Sequence, residues 1–161
     1  MNAWFGPMAS PAFTSCCLAS TVTEVDEPTA HRVLADARVG RLATITPVGV
    51  PHVVPCCFTL AGATTIYTAI DAKPKSTLAL RRLDNLRANP AASLLVDHYD
   101  DDNWSELWWV RVDGRAGIVE DDNERAHALH LLAAKYAQYR VERPPGDVIA
   151  LQVERWTFWP S

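Results

Sequence analysis

Three strands and two tight turns follow one another in residues 41–70, RLATITPVGVPHVVPCCFTLAGATTIYTAI. The β-branched and other apolar side chains that dominate the stretch favour strands, which are predicted at 41–46, 52–60 and 64–70. Proline and glycine, the usual turn residues, lie between them. Connections this short join neighbouring strands that run in opposite directions, so the stretch predicts an antiparallel sheet.

Helical periodicity and further strand patterns surround this block. Apolar side chains recur three and four residues apart in three segments, as on one face of an α-helix. Helices are predicted at 27–38, 77–88 and 122–140, and further strands at 92–98, 107–119 and 148–158. Strands dominate and do not alternate regularly with helices, which favours a mainly β fold. We expect a closed or partly closed antiparallel β-barrel with helices packed outside.

The chain is expected to form one domain behind an irregular arm. Its 161 residues suit a single domain, and 48% hydrophobic with 21% charged residues is ordinary globular composition. Residues 1–23 contain two prolines and no clear period, so they are interpreted as an irregular N-terminal arm. Residues 24–161 then form the barrel domain.

Charge and hydropathy limit the expected partners. The net charge of −4 provides no global basic field, so no nucleic-acid partner is expected. No apolar run approaches the ~20 residues of a membrane-spanning helix, so no membrane association is expected. The first basic residue is Arg32, which leaves the N-terminus without the charged region of a secretory signal. The expected location is therefore the cytoplasm.

A basic segment precedes the second predicted helix. Lys73 and Lys75 stand just before it, and Ser76 or Thr77 can cap it. The first-turn N–H groups of a helix are unpaired and its dipole is positive at this end. Two ammonium groups, a hydroxyl and free amides in one small volume are suited to binding a phosphate, to which Arg81 and Arg82, one turn further on, can add a bidentate contact. The alternative is a solvated basic helix start without a ligand.

Metal and nucleophile patterns are weak. The acidic run at 97–102 lacks the glycine and the terminal glutamate of a calcium loop. Glu124, His127 and His130 recur every three residues, but a metal site would need ligands from another element. The four cysteines form two adjacent pairs without zinc-site spacing. We therefore predict no metal site and free thiols.

Seven stretches, taken in order, resemble the pyridoxamine 5'-phosphate oxidase-like split barrels. They are VGRLATI (39–45), GVPHVVP (49–55), TTIYTAI (64–70), KPK (73–75), LDNLRANP (83–90), ASLLVD (92–97) and WWVRVDGRA (108–116). The KPK stretch and the tryptophan-rich strand resemble the branch of this superfamily that uses the deazaflavin coenzyme F420. The resemblance extends over nearly the whole predicted barrel domain.

The resemblance implies a six-stranded FMN-binding split barrel that forms a homodimer and binds its cofactor at the subunit interface. It implies that the residues holding the cofactor's phosphate are Lys73, Lys75, Ser76, Thr77 and Arg82. It also implies that the ring lies against the backbone of two strands, at His52, Val53, Val54, Pro55, Thr68 and Ala69.

Asp113-Gly114 gives two conflicting indications. An Asp-Gly pair between apolar runs is typical of a two-residue hairpin turn. The resemblance implies instead one long strand with a glycine bulge at this point. We adopt the second as the prediction.

The function implied by the resemblance is an oxidoreductase that transfers a hydride between F420 and a small organic substrate. The alternatives are an FMN-dependent oxidase or reductase and a non-catalytic flavin- or tetrapyrrole-binding protein. Core or dimer packing is the default role for Trp104, Trp108 and Trp109, and a wall of the substrate pocket is the alternative. No catalytic side chain is assigned, because the coenzyme itself would carry the hydride.

Overall fold

The structure is a computed structural model that describes residues 27–71 and 78–160. The predicted arm at 1–23 and the predicted phosphate-binding residues Lys73, Lys75, Ser76 and Thr77 lie outside the described residues. The predictions made for them therefore stay predictions.

Seven strands, four α-helices and one 3-10 turn make up the described chain. In order they are α1 (Glu27–Asp36), β1 (Gly40–Ile45), β2 (Pro51–Cys56), β3 (Thr59–Ala61), β4 (Thr65–Ala69), α2 (Leu78–Ala88), β5 (Ala91–His98), the turn Trp104–Glu106, β6 (Trp108–Ile118), α3 (Asp122–Lys135), α4 (Ala137–Val141) and β7 (Val148–Pro160). None of these helices combines the length and the apolar composition needed to cross a bilayer.

The seven strands form one antiparallel sheet in the order β2-β1-β5-β6-β7-β4-β3. The outermost strands, β2 and β3, are consecutive in the chain and are separated by Cys57 and Phe58 alone. A link of two residues reaches only about 10 Å from strand end to strand end, whereas seven strands laid flat would be about 29 Å wide. The sheet must therefore curl until its edges approach, which is the geometry of a split barrel.

The predicted fold class is confirmed, and one predicted strand is wrong. The pattern at 52–60 predicted a single strand, but the structure divides it into β2 and β3, which lie at opposite edges of the sheet. The six predicted strands thus become seven. The chain pairs with β1 up to Cys56 and with β4 from Thr59 onward, so the strand is divided between these two residues.

Tyr136 holds the junction between β2 and β3. Its hydroxyl accepts a hydrogen bond from the Phe58 N–H at 3.0 Å and donates to the carbonyl of Phe58 at 2.8 Å or of Arg38 at 3.0 Å. Phe58 is fully buried, so water cannot replace this partner. The predicted helix 122–140 is interrupted at Tyr136, which takes an extended conformation between α3 and α4.

Side chains from alternate positions of the strands fill the barrel, as the two-residue period of a strand requires. Helices α1 and α2 add leucines to this core. Its large buried members are Leu34, Leu42, Phe58, Ile66, Leu83, Leu86, Leu94, Val96, Val110, Val112, Ile149 and Leu151. A second cluster, around Tyr67, Leu132 and Tyr136, packs α3 against β4.

Gly114 lies within one long strand, as the resemblance implied, and the bulge at this point is in the partner strand β7. Asp113 pairs with Arg155 and Gly114 pairs with Val153, which leaves Glu154 as the extra residue on β7. A Cβ atom at position 114 would lie 1.9 Å from the Gln152 carbonyl oxygen, so only glycine fits this close approach. The hairpin indication is overridden because β6 pairs along its length with β5 and β7.

We expect Tyr136→Phe to lower the free energy of unfolding by about 1–3 kcal/mol, because the buried Phe58 backbone groups lose their shared partner. Urea unfolding monitored by circular dichroism measures the effect. Tyr99→Phe is the matched control, because the Tyr99 side chain is exposed. Equal stability of the two variants would contradict the role given to the Tyr136 hydroxyl.

Lys135, at the end of α3, is buried against the same junction. Its Nζ atom lies 4.1 Å from the centre of the Phe58 ring and has no hydrogen-bond partner within the described ranges. Burial lowers the pKa of Lys135 to about 8, helped by the charge of Arg38 and opposed by Asp36 and Cys57. The folded protein therefore binds this proton more weakly than the unfolded chain does.

Stability should depend on pH through Lys135. Because its pKa is lowered on folding, the unfolded chain holds more protons between pH 8 and the ordinary lysine value, so stability rises with pH across that window. The added stability is fully present above this pH window and is lost as the pH falls to about 8. The free energies of unfolding of wild type and Lys135→Met are measured with urea between pH 7 and about 10. The value for wild type relative to that for Lys135→Met should rise with pH. Parallel pH profiles would refute it.

Candidate functional site

The predicted ring-binding residues of β2 lie on an edge strand and divide between its two faces. Val53 and Pro55 point outward and are exposed, Val53 by 58%. His52 and Val54 are half-buried and face the barrel. Within residues 27–71 and 78–160, β2 pairs with β1 alone, which leaves one side of its backbone without a strand partner there.

Thr68 and Ala69 are buried at the end of β4. Strand β3 begins at Thr59, opposite Tyr67, so among the described residues no strand pairs with the backbone of Thr68 and Ala69 on that side. The Thr68 hydroxyl faces the thiol of Cys56 on β2, a weak partner, and makes no regular hydrogen bond within the described residues. The structure thus brings the end of β2 close to the end of β4, where the sheet is split.

His52 lies beside the start of α2. On β1 its cross-strand neighbour is Thr44, which is hydrogen-bonded to Asn85 of α2, and the charges of Arg81 and Arg82 on the same helix reach the imidazole. Partial burial lowers the pKa of His52, and the charges of the two arginines lower it further. The imidazole is therefore neutral at pH 7 and offers one N–H donor and one acceptor nitrogen.

Arg82 is a buried cation without a protein partner in the described part of the chain. It is 7% exposed, and its Nε atom has no hydrogen-bond acceptor there. Buried charges are normally paired, because removing a guanidinium from water is costly. With Arg81 and His52 close by, one turn from the start of α2, the donor set suits a phosphate or carboxylate.

Two polar residues beneath this site were not identified from the sequence. Thr44 is 2% exposed and Asn85 is completely buried, and Asn85 Nδ2 donates to Thr44 Oγ1 at 2.9 Å. The only sequence signal is an asparagine between Leu83 and Leu86, within the apolar face of a helix. Its significance depends on knowing which face of α2 meets the barrel.

The three tryptophans proposed for a substrate pocket do not form one cluster within this chain. Trp108 faces the core and stacks on His98, with ring centres 5.9 Å apart. Its neighbour Trp109 points to the outer face of the sheet, where Trp159 is its cross-strand partner. Trp104, in the loop before β6, is 67% exposed. A shared role for them stays a prediction.

A cavity of about 540 Å³ opens at the far end of β2 from His52. Its lining includes Cys57, Asp71, Tyr139 and Arg143. Cys56 and Cys57 are free cysteines, and burial raises the pKa of the Cys56 thiol, which favours its unreactive protonated form. Within the described ranges no three His, Cys, Asp or Glu side chains are placed to hold a metal ion.

A sequence model of the family described as pyridoxamine 5'-phosphate oxidase matches residues 27–160, from α1 to the end of β7. The chain belongs to this family. No curated protein matches the sequence.

Solved structures share the split barrel of this pyridoxamine 5'-phosphate oxidase family member. A conserved hypothetical protein from Mycobacterium tuberculosis is similar with a TM-score of 0.67, 21% identity and 88% coverage of each chain. A putative 5-nitroimidazole antibiotic resistance protein from Bacteroides thetaiotaomicron has a TM-score of 0.64, 17% identity and 83% coverage of each chain. A FAD-binding protein from Mesorhizobium loti has a TM-score of 0.58 and 26% identity, over 81% of this chain and 90% of that chain.

We expect Arg82→Met to raise the free energy of unfolding by about 1–2 kcal/mol, since it replaces an unpaired buried cation with an apolar side chain of similar length. Urea unfolding without any ligand measures the change. Arg87→Met is the matched control, because Arg87 is on the same helix but exposed, where it pairs with Asp84. Destabilisation by Arg82→Met would mean that the guanidinium has a protein partner after all.

Proposed function

We propose that the protein is an oxidoreductase that binds a phosphorylated tricyclic redox coenzyme, F420, and transfers a hydride between it and a small organic substrate. FMN is the alternative coenzyme. The buried Arg82, which has no protein partner within the described residues, carries the proposal together with His52, because the two form a prepared anion site near the start of the edge strand β2. The family assignment and the flavin named for the Mesorhizobium loti relative support a flavin-type coenzyme.

The coenzyme's phosphate would lie where α2, β1 and β2 meet. Arg82 would supply positive charge from the buried face of α2, and Arg81 and neutral His52 would supply further donors. Lys73, Lys75, Ser76 and Thr77 precede α2 directly in the sequence and would complete the same anion site. The ring would then lie along the unpaired backbone edges of β2 and β4, at His52 to Pro55 and Thr68 to Ala69.

A second copy of the chain would cover this edge. Large apolar side chains are exposed on the β1–β2 hairpin, with Val48 at 84%, Val50 at 55% and Val53 at 58%. Burying them between two protomers would remove apolar surface from water and exclude water from a ring bound there. We therefore propose a homodimer with the coenzyme at the subunit interface, where Trp109 and Trp159 on the outer face of the sheet are available to line a substrate pocket.

The chain's own side chains bind and orient in this mechanism, and none need transfer a proton. When bound, the coenzyme supplies the hydride. Arg82 neutralises the anionic end, and His52 contributes a hydrogen bond without adding a charge at pH 7. The apolar edge and the partner protomer keep water away from the reacting atoms.

Parallel titrations with F420 and FMN test the proposal. We expect micromolar or tighter binding of F420, about tenfold or more weaker binding by Arg82→Met and by the double variant Lys73→Ala/Lys75→Ala, and unchanged binding by Arg87→Met. Tighter binding of FMN would identify the alternative coenzyme. Binding of neither would refute the proposal, and equal affinity of all four proteins would refute the phosphate site.

Turnover separates an enzyme from a carrier. The preferred coenzyme is bound in its reduced form and mixed with a panel of enones and quinones. We expect these acceptors to oxidise the coenzyme, and the absorbance of the coenzyme measures the reaction. Tight binding without oxidation of the coenzyme by any acceptor would favour the non-catalytic binding protein. Size-exclusion chromatography with light scattering tests the dimer, and a monomer would contradict the shared site.

A further inference from the structure

A row of three polar side chains, two of them buried and one half-buried, joins the elements that form the anion site. Asn85 of α2 donates from Nδ2 to Oγ1 of Thr44 on β1 at 2.9 Å. Thr44 Oγ1 in turn lies 3.5 Å from both the Nδ1 and the carbonyl oxygen of His52 on β2. The row therefore runs from the helix that carries Arg81 and Arg82 to the strand that carries His52.

Stability alone does not explain this row, because it contains a buried polar atom left unsatisfied within the described ranges. Asn85 is completely buried, and its Oδ1 has no hydrogen-bond partner among the residues that the structure describes. Its neighbours on α2, Leu83 and Leu86, belong to the apolar core. A leucine at position 85 would be expected to pack there without an unsatisfied carbonyl oxygen, so a purely structural role does not account for an asparagine.

The other described contacts of the buried face of α2 with the barrel are mainly apolar. Leu83 and Leu86 hold the helix against the barrel through apolar contacts, which tolerate small rotations and shifts because they have no preferred direction. A hydrogen bond is directional and restricts such movements. The Asn85–Thr44 bond is therefore the interaction best suited to set the distance from the α2 arginines to His52.

We propose that Asn85 and Thr44 are positioning residues that hold Arg81 and Arg82 at a set distance from His52, so that the three side chains converge on one anionic group. The inference rests on the proposed function for the identity of that group, the phosphate of a redox coenzyme. The arrangement itself is a property of the ligand-free protein and is testable without any coenzyme.

The first test is the imidazole titration of His52 by NMR in the ligand-free protein. In wild type, partial burial and the charges of Arg81 and Arg82 lower the pKa of His52. Thr44→Val and Asn85→Leu should each return this pKa toward the ordinary histidine value, because the ring and the arginines move apart. Thr44→Ser should keep the wild-type pKa, because it retains the hydroxyl.

The resonances of His130, exposed on α3, serve as an internal reference. A His52 pKa that is the same in wild type, Thr44→Val and Asn85→Leu would overturn the proposal, as would a Thr44→Ser protein that behaves like Thr44→Val. If Thr44→Val does not fold, Asn85→Leu and Thr44→Ser still decide the outcome.

The second test compares stability with ligand binding. Asn85→Leu should unfold at an equal or higher urea concentration than wild type, yet bind the preferred coenzyme about fivefold or more weakly. In the double variant Asn85→Leu/His52→Gln the two losses should not add, because both changes act on the same contact. Additive losses, or unchanged affinity in Asn85→Leu, would overturn the proposal.

The two proposals fail separately. If the wild-type protein binds neither F420 nor FMN, the proposed function is wrong, while the His52 titration still decides whether Asn85 and Thr44 position the site. If coenzyme binds tightly and the titration is unaffected by the substitutions, the function stands and the positioning role is wrong.

Discussion

The closure of the sheet depends on the junction at Cys57 and Phe58. These two residues connect strands at opposite edges of a seven-stranded sheet, so the whole sheet must curl around the core. The junction removes buried backbone groups from the β ladder, and Tyr136 provides their hydrogen bonds from 78 residues away. The interruption of the third helix and the burial of Lys135 both follow from bringing this tyrosine to the junction.

The same junction accounts for the position of the candidate site. Because β2 stops at Cys56 and β3 begins only at Thr59, the described strands leave one backbone edge of β2 and one of β4 unpaired close to one another. An edge with unpaired backbone groups is normally an aggregation risk. Here it coincides with exposed valines and with a buried cation, which is the combination expected of a surface that a ligand and a second protomer cover.

Within the described residues, buried polar atoms without a regular partner occur at the candidate site. The barrel interior is apolar at most inward positions, but Arg82, Asn85 and Thr68 each bury a polar atom without a regular partner in the described structure. Natural proteins tend to depart from efficient packing at functional sites. The family assignment alone does not identify a coenzyme or substrate, because one fold serves many functions. The functional conclusion therefore rests on these particular side chains.

Local patterns in the sequence determined the elements, because a strand or helix period is a property of neighbouring residues. Helices α1 and α2 and most strands were predicted within a few residues, and the family resemblance implied the irregularity at Gly114, whereas the third predicted helix is divided at Tyr136 into α3 and α4. The tertiary structure alone decided that 52–60 is two strands, that Trp108 and Trp109 face opposite ways, and that Arg82 is buried while Arg87 is exposed. These features depend on contacts between residues far apart in the chain, such as Phe58 with Tyr136 and Thr44 with Asn85, and no local pattern specifies which distant residues meet.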